Sequence, residues 1–152
     1  MISKTFEQIA KDPVSTVYED FVEEGIRCRI MRGPCGMVAY LGISPSHPIA
    51  GKEYDDIPLD VHGCLTFSQA GDGKNWPKGY WWYGWDYDHA GDKAFYDLER
   101  PWASAWKDNY HEWTVPEVHV DVIVAAWHMK KLMNLYASPV RRFLRWVKAR
   151  LP

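Results

Sequence analysis

The stretch Gly79–Asp92, GYWWYGWDYDHAGD, restricts the fold of this chain more than any other. It crowds tryptophan and tyrosine together with three aspartates and a histidine. Alternation puts Tyr80, Trp82 and Gly84 on one face of a strand and Trp81, Tyr83 and Trp85 on the other. Large rings on both faces need cover on both sides. The strand is therefore central in its sheet, or lies between a core and a ligand surface. Asp86, Asp88, His89 and Asp92 follow, so the strand leaves into a polar turn that can carry chemistry.

The rest of the chain supplies partners for that strand. Ile26–Arg32 alternates Ile26, Cys28 and Ile30 against Arg27, Arg29 and Met31, the period of a half-buried strand. Gly33-Pro34-Cys35-Gly36 is a turn, and Met37–Ile43 completes a hairpin. Leu59–Ser68 reads as a further strand, with Asp60 and His62 on one face and Gly63 leaving room for a close approach. Residues 69–78 are a connection, and Gly71-Asp72-Gly73-Lys74 within it is a turn.

Helices are expected at both ends. Residues 3–11 suit a short helix stopped by Asp12-Pro13. Ser15–Glu24 reads as a second, with Val14, Tyr18, Phe21 and Val22 on one face and Gly25 at the stop position. Phe95, Leu98, Trp102 and Trp106 follow a loose helical period broken by Pro101. Thr114–Tyr136 carries the clearest signal. Thr114 and Glu117 form a capping box, Pro116 sits in the first turn, and Val118, Val122, Ala125, Ala126, Met129, Leu132, Met133 and Tyr136 share a face. Ser138-Pro139 opens a last helix with the stripe Val140, Phe143, Leu144, Val147 and Leu151. The expected fold is α+β: a mainly antiparallel sheet packed by N-terminal and C-terminal helices.

A chain of 152 residues is most simply one domain and can bury a core without a metal or disulfide. A net charge of −2 gives no overall bias toward nucleic acid. Nine tryptophans exceed what an ordinary core needs and suit either a large aromatic core or a stacking surface. Cys28, Cys35 and Cys64 are an odd set without a CxxC, which suits a reducing, cytoplasmic setting. No apolar run reaches the length of a membrane span, and no signal peptide is visible.

The candidate chemistry combines Asp60 and His62 with Asp86, His89 and Asp92. If their two segments are neighbours, imidazoles and carboxylates converge at one end of the sheet. Such a set suits a divalent metal ion (zinc, manganese or iron), with His62, Asp86, His89 and Asp92 as ligands. It equally suits an acid/base pair in which an aspartate orients a histidine, with His62, His89 and Asp86 as catalytic groups. The alternative is that these residues cap turns. Asp86–Asp97 matches a calcium loop only in part, since Asp97 stands where the bidentate glutamate belongs. Cys64 reads as a small buried residue. Arg141, Arg142, Arg145, Lys148 and Arg150 make the last helix strongly basic. That suits a solvated face, a pairing with acidic loops, or an anionic surface.

Three segments, GISPSHPIAGKEYDDI, DVHGCLTFS and GYWWYGWDYDHAGD, resemble a family of small uncharacterised proteins of tailed phages and prophages. The family pattern reads approximately GHPxYGxxYDD, VHGGLTF and WWFGFDCAHxGD, and the likeness spans about residues 26–92. The matching positions are His47, Pro48, Gly51, Tyr54, Asp55, His62, Gly63, Trp82, Gly84, Asp86, His89, Gly91 and Asp92. Cys64 replaces the second glycine of the HGG motif, and Asp88 replaces a cysteine. The resemblance implies a phage-encoded accessory protein acting in the host cytoplasm.

Three functions are compatible with these residues. The first is a counter-defence protein that binds a small nucleotide-like ligand, such as a host immune signal. Trp81, Trp82, Trp85, Tyr54 and His47 would line its pocket, between subunits of a homo-oligomer. The second is a metal-assisted hydrolase of a small phosphorylated or nucleotide substrate. The third is an inhibitor that docks on a host defence protein.

Overall fold

The computed structural model describes residues 3–100 and 109–150. Pro101, Trp102, Trp106 and Leu151 of the sequence reading lie outside them. A five-stranded antiparallel sheet has the order β1-β2-β3-β5-β4, with β1 Val17–Glu23, β2 Ile26–Arg32, β3 Met37–Ile43, β4 Phe67–Ala70 and β5 Trp81–Asp86. The helices are α1 Phe6–Lys11, α2 Val115–Ala137 and α3 Pro139–Lys148. The expected α+β class is the one observed.

One sheet face makes the main core. Ile26, Cys28 and Ile30 of β2, Ala39, Leu41 and Ile43 of β3, and Tyr83 and Trp85 of β5 are all buried there. Register explains why they share a face: Cys28 pairs with Leu41, which pairs with Tyr83. Val118, Val122, Ala125, Ala126 and Met129 of α2 close over them. Glu117 holds the start of α2 by accepting hydrogen bonds from the Thr114 amide (2.8 Å) and hydroxyl (2.6 Å). Phe6 and Ile9 of α1 add to the same core, with Phe6 against Phe95 at a ring separation of 5.1 Å.

The opposite face accounts for the second row of rings on β5. A Cβ on Gly42 would meet the Trp82 ring at 2.8 Å, so the missing side chain lets the indole lie flat across β3. Gly84 is likewise covered by Tyr40, whose ring meets Phe67 and Trp76 edge-on. Strand β5 is interior, between β3 and β4, as aromatics on both faces require.

Ser15–Glu24, expected as a helix, is β1. Glu24 and Gly25 both have positive φ, 52° and 76°, and form the two-residue hairpin turn that joins β1 to β2. Gly25 is a turn residue and not a helix stop. In the strand, Glu19, Phe21 and Glu23 face α2, where Phe21 packs on His119 and Glu23 accepts from the Trp127 indole. The helical face of Val14, Tyr18, Phe21 and Val22 does not form, since Val14 and Val22 are exposed.

Leu59–Ser68 is also corrected. Of it only Phe67 and Ser68 join the sheet, and the strand runs on through Gln69 and Ala70, which were expected in the connection. Gly63 and Cys64 have φ of 64° and 83°, in the left-handed region that an extended strand cannot contain. Residues 61–64 turn back instead, with the Cys64 amide donating to the Val61 carbonyl (3.2 Å). Cys64 is exposed, not buried. The α3 stripe also differs from an ordinary packed face: its Val140, Phe143 and Leu144 are exposed, as is Trp146 beside them, and Val147 is half-buried.

Candidate functional site

The turn at residues 61–64 and the turn after β5 meet on Asp92. Beyond Asp86, the Tyr87 amide extends the ladder by donating to Met37 (3.0 Å). The chain then closes on itself, with the Asp92 amide donating to the His89 carbonyl (2.9 Å). His111 and residues 91–93 exchange backbone hydrogen bonds and fasten the far side of the turn. Asp92 is thereby held inward and 6% exposed.

Three N–H groups converge on that carboxylate. His62 Nε2 lies 2.6 Å from Oδ2, the His89 amide donates to Oδ2 at 2.9 Å, and the Trp113 indole donates to Oδ1 at 2.7 Å. Burial alone would raise the Asp92 carboxyl. The hydrogen bonds from Trp113, His62 and the His89 amide outweigh it and hold the group below the usual carboxylate range. Asp92 is therefore an anion near neutral pH, and it fixes the tautomer of a neutral His62 as Nε2–H. Nδ1 keeps the lone pair and the basicity. The imidazole is clamped flat on Tyr87, with centroids 4.9 Å apart and planes within 6°, and edge-on to Trp113.

His89 completes the cluster. Its ring centroid is 5.4 Å from that of His62, and its Nδ1 is 3.5 Å from Asp86 Oδ1 and 3.8 Å from Asp92 Oδ2. Nδ1 is enclosed without a hydrogen bond. Gly63 makes this placement feasible, because a Cβ there would overlap the His89 ring. Thr66 donates its hydroxyl to Asp86 Oδ2 at 3.0 Å and holds that carboxylate at the rim. Asp88, nearby, is pushed up by burial and by Asp86.

Among the described residues, His62, His89 and Asp92 each offer a ligand atom within 4.8 Å of the others. Metal bonds of 2.0–2.1 Å in a tetrahedron place ligand atoms roughly 3.4 Å apart. His89 would have to move inward, and His62 and Asp92, now 2.6 Å apart, would have to open to that spacing as an ion replaces the proton between them. The donor set, two imidazoles and one or two carboxylates, is the chemistry that holds zinc or iron.

A hollow of about 400 Å³ opens beside His62. Trp85 and Trp113 are ring walls, Asp60 and Val61 form one rim, and Asp121, Ala125 and His128 of α2 form the other. Tyr87 links floor and wall: its hydroxyl accepts from the Trp85 indole (3.0 Å) and donates to Asp121 Oδ2 (3.2 Å). Burial first, then Asp121 and Asp92, push the Tyr87 phenol far above its ordinary value, so it stays protonated.

Of the residues singled out from the sequence, His62, His89, Asp86, Asp92 and Trp85 come together. Four others sit elsewhere. Trp82 is on the opposite sheet face, fully buried, with its indole donating to Pro77 (3.0 Å). Trp81 lies at the far end of β5, opposite Ile43 and Ala70. The Tyr54 amide is tied to Ser68 (3.0 Å). His47 meets the Met133 carbonyl through Nε2 (3.1 Å) and accepts the Ile49 amide through Nδ1 (3.2 Å). It thus staples a loop to α2, about 12 Å further along the helix than Ala125. The calcium-loop alternative also lapses geometrically, since Asp97 is buried and accepts the Ala94 amide (2.9 Å).

Trp113, Asp121 and His128 were not anticipated as site residues. Asp121 and His128 are seven apart on α2 and share a helical face with Ala125, which borders the buried stripe. A pair of polar residues on that border was the available signal. Comparison with family models, with curated proteins and with solved structures found no match to this chain.

Proposed function

We propose that His62, His89 and Asp92 hold a divalent metal ion, with Asp86 beside them. The protein would then be a metal-assisted hydrolase of a small phosphorylated or nucleotide-like substrate seated in the adjoining hollow. The observation that carries this reading is the convergence of two imidazoles on one buried, ionised carboxylate, with Gly63 clearing space for the second ring. Asp60 and Asp121 make the hollow acidic, which disfavours a bare phosphate; a divalent ion offsets that charge. The ion would supply a bound hydroxide near neutral pH and polarise the phosphoryl oxygen. The half-buried Trp113 would meet the organic part of the substrate, in a volume suited to a small molecule.

A second reading is binding without turnover. The half-buried Trp113 ring beside the hollow favours it, because an aromatic contact needs no reaction. With the phage kinship proposed from residues 26–92, the ligand class is a nucleotide immune signal of the host.

One experiment separates the two. The purified chain is incubated with cyclic dinucleotides and ADP-ribose-type nucleotides, with zinc or manganese and with chelator, and the products are resolved by chromatography. New products only with metal, and none with His89→Ala, support hydrolysis. Intact nucleotide released on heating supports binding. Neither product nor retained nucleotide, together with no bound metal, rejects both.

A further inference from the structure

Helix α3 has a composition that the proposed site does not use. Between Pro139 and Arg150 the chain has five cations and no acid, although its net charge is −2. The helix contacts α2, yet Val140, Phe143, Leu144 and Trp146 are 66, 61, 57 and 53% exposed. Phe143 and Trp146 stack loosely at 6.1 Å, and the Arg150 guanidinium lies over the Trp146 ring at 4.0 Å. Arg141 and Lys148 are exposed as well. No described helix is long and apolar enough to cross a membrane.

We infer that α3 is an interfacial helix that docks this protein on an anionic lipid surface. Two features choose that occupant. A protein partner or second copy covering the apolar face would bring an acidic rim to match five cations, whereas anionic headgroups supply that charge along the whole helix. Phe and Trp beside a cationic flank also match the boundary between acyl chains and headgroups, where rings lie in the apolar layer and guanidinium groups reach outward. The inference does not depend on the metal reading.

The test uses the full chain, sedimented with phosphatidylcholine vesicles or with the same lipid containing about a third phosphatidylglycerol. Co-sedimentation with the anionic vesicles, weakened by high salt and absent from the neutral ones, is expected. Each cation near such a surface strengthens partition about fivefold, so Arg141→Gln with Lys148→Gln should weaken it roughly 25-fold. Phe143→Ser with Leu144→Ser should abolish it. Both variants alter exposed positions and should keep the native melting temperature. Failure to sediment, equal binding to neutral vesicles, or unchanged binding of both variants would overturn the inference. So would a dimer in light scattering that the Phe143/Leu144 variant dissolves, or a duplex-RNA shift without vesicle binding.

Discussion

Gly63→Ala separates the cost of backbone strain from the cost of displacing His89. At Gly63 the backbone φ is +64°, and an added Cβ overlaps the His89 ring. Gly25 has φ +76° with nothing within 4 Å of an added Cβ, so Gly25→Ala reports strain alone. A non-glycine residue there costs about 1 kcal/mol. For a chain of this size that is roughly 2–4 °C in melting temperature. Gly63→Ala adds an overpacking cost of about 1–3 kcal/mol if the ring stays. If His89 swings out, which its partial exposure allows, the stability loss falls back toward the Gly25 value. Metal affinity then drops at least tenfold, as for loss of one ligand's placement. Urea unfolding gives the stability difference, and imidazole NMR signals of His62 and His89 report the ring positions. Equal stability of the two variants, with both imidazole signals and zinc affinity unchanged in Gly63→Ala, would show that the 61–64 and 86–92 turns do not meet.

Other outcomes follow from the same geometry. Asp92→Asn replaces a buried anion that accepts three N–H groups, and should lose about 3 kcal/mol in urea unfolding; a loss under 1 kcal/mol would contradict the hydrogen bonding described. The Asp20 carboxyl is lowered by the hydrogen bond from Arg27. Asp92 and Glu117 are lowered by hydrogen bonds that outweigh burial. Because these folded values lie below the unfolded ones, their stabilisation is complete above about pH 5 and is lost as pH falls through the folded values. The urea midpoint should therefore drop below about pH 5, and a midpoint unchanged between pH 5 and pH 3 would refute this. Cys64 is exposed, while burial pushes the Cys28 thiol up to about 12. Native protein should accordingly label at Cys64 first and at Cys28 only after unfolding. Cys64→Gly should relieve the strain at φ 83° and gain roughly 0.5–1 kcal/mol.

Much of the architecture was legible because two periods are strong in this chain. Ile26, Cys28 and Ile30 mark β2, and Val118, Val122, Ala125 and Met129 mark the packed side of α2. Ser15–Glu24 misled because Tyr18, Phe21 and Val22 fit a helical spacing by chance. Glu24-Gly25 then served as a hairpin turn, which resembles a helix stop in one dimension. Residues 59–66 misled because alternation was read through Gly63 and Cys64, whose positive φ values no side-chain pattern announces. The site was half legible. His62, His89 and Asp92 stand out as polar groups beside aromatics, but their meeting depends on a turn and on Trp113 arriving from beyond residue 100. Trp82 looked equivalent to Trp85. Strand parity sends it to the face away from the hollow, and only the covering helix decides which face that is.

The most direct measurement is anomalous diffraction from crystals of the protein grown with zinc. The expected result is one strong peak about 2.0–2.1 Å from an imidazole nitrogen of His62, one of His89 and a carboxylate oxygen of Asp92. A peak held by other residues, or coordinates with the two imidazoles on separate sides of the chain, would contradict the convergence on which the proposed chemistry rests.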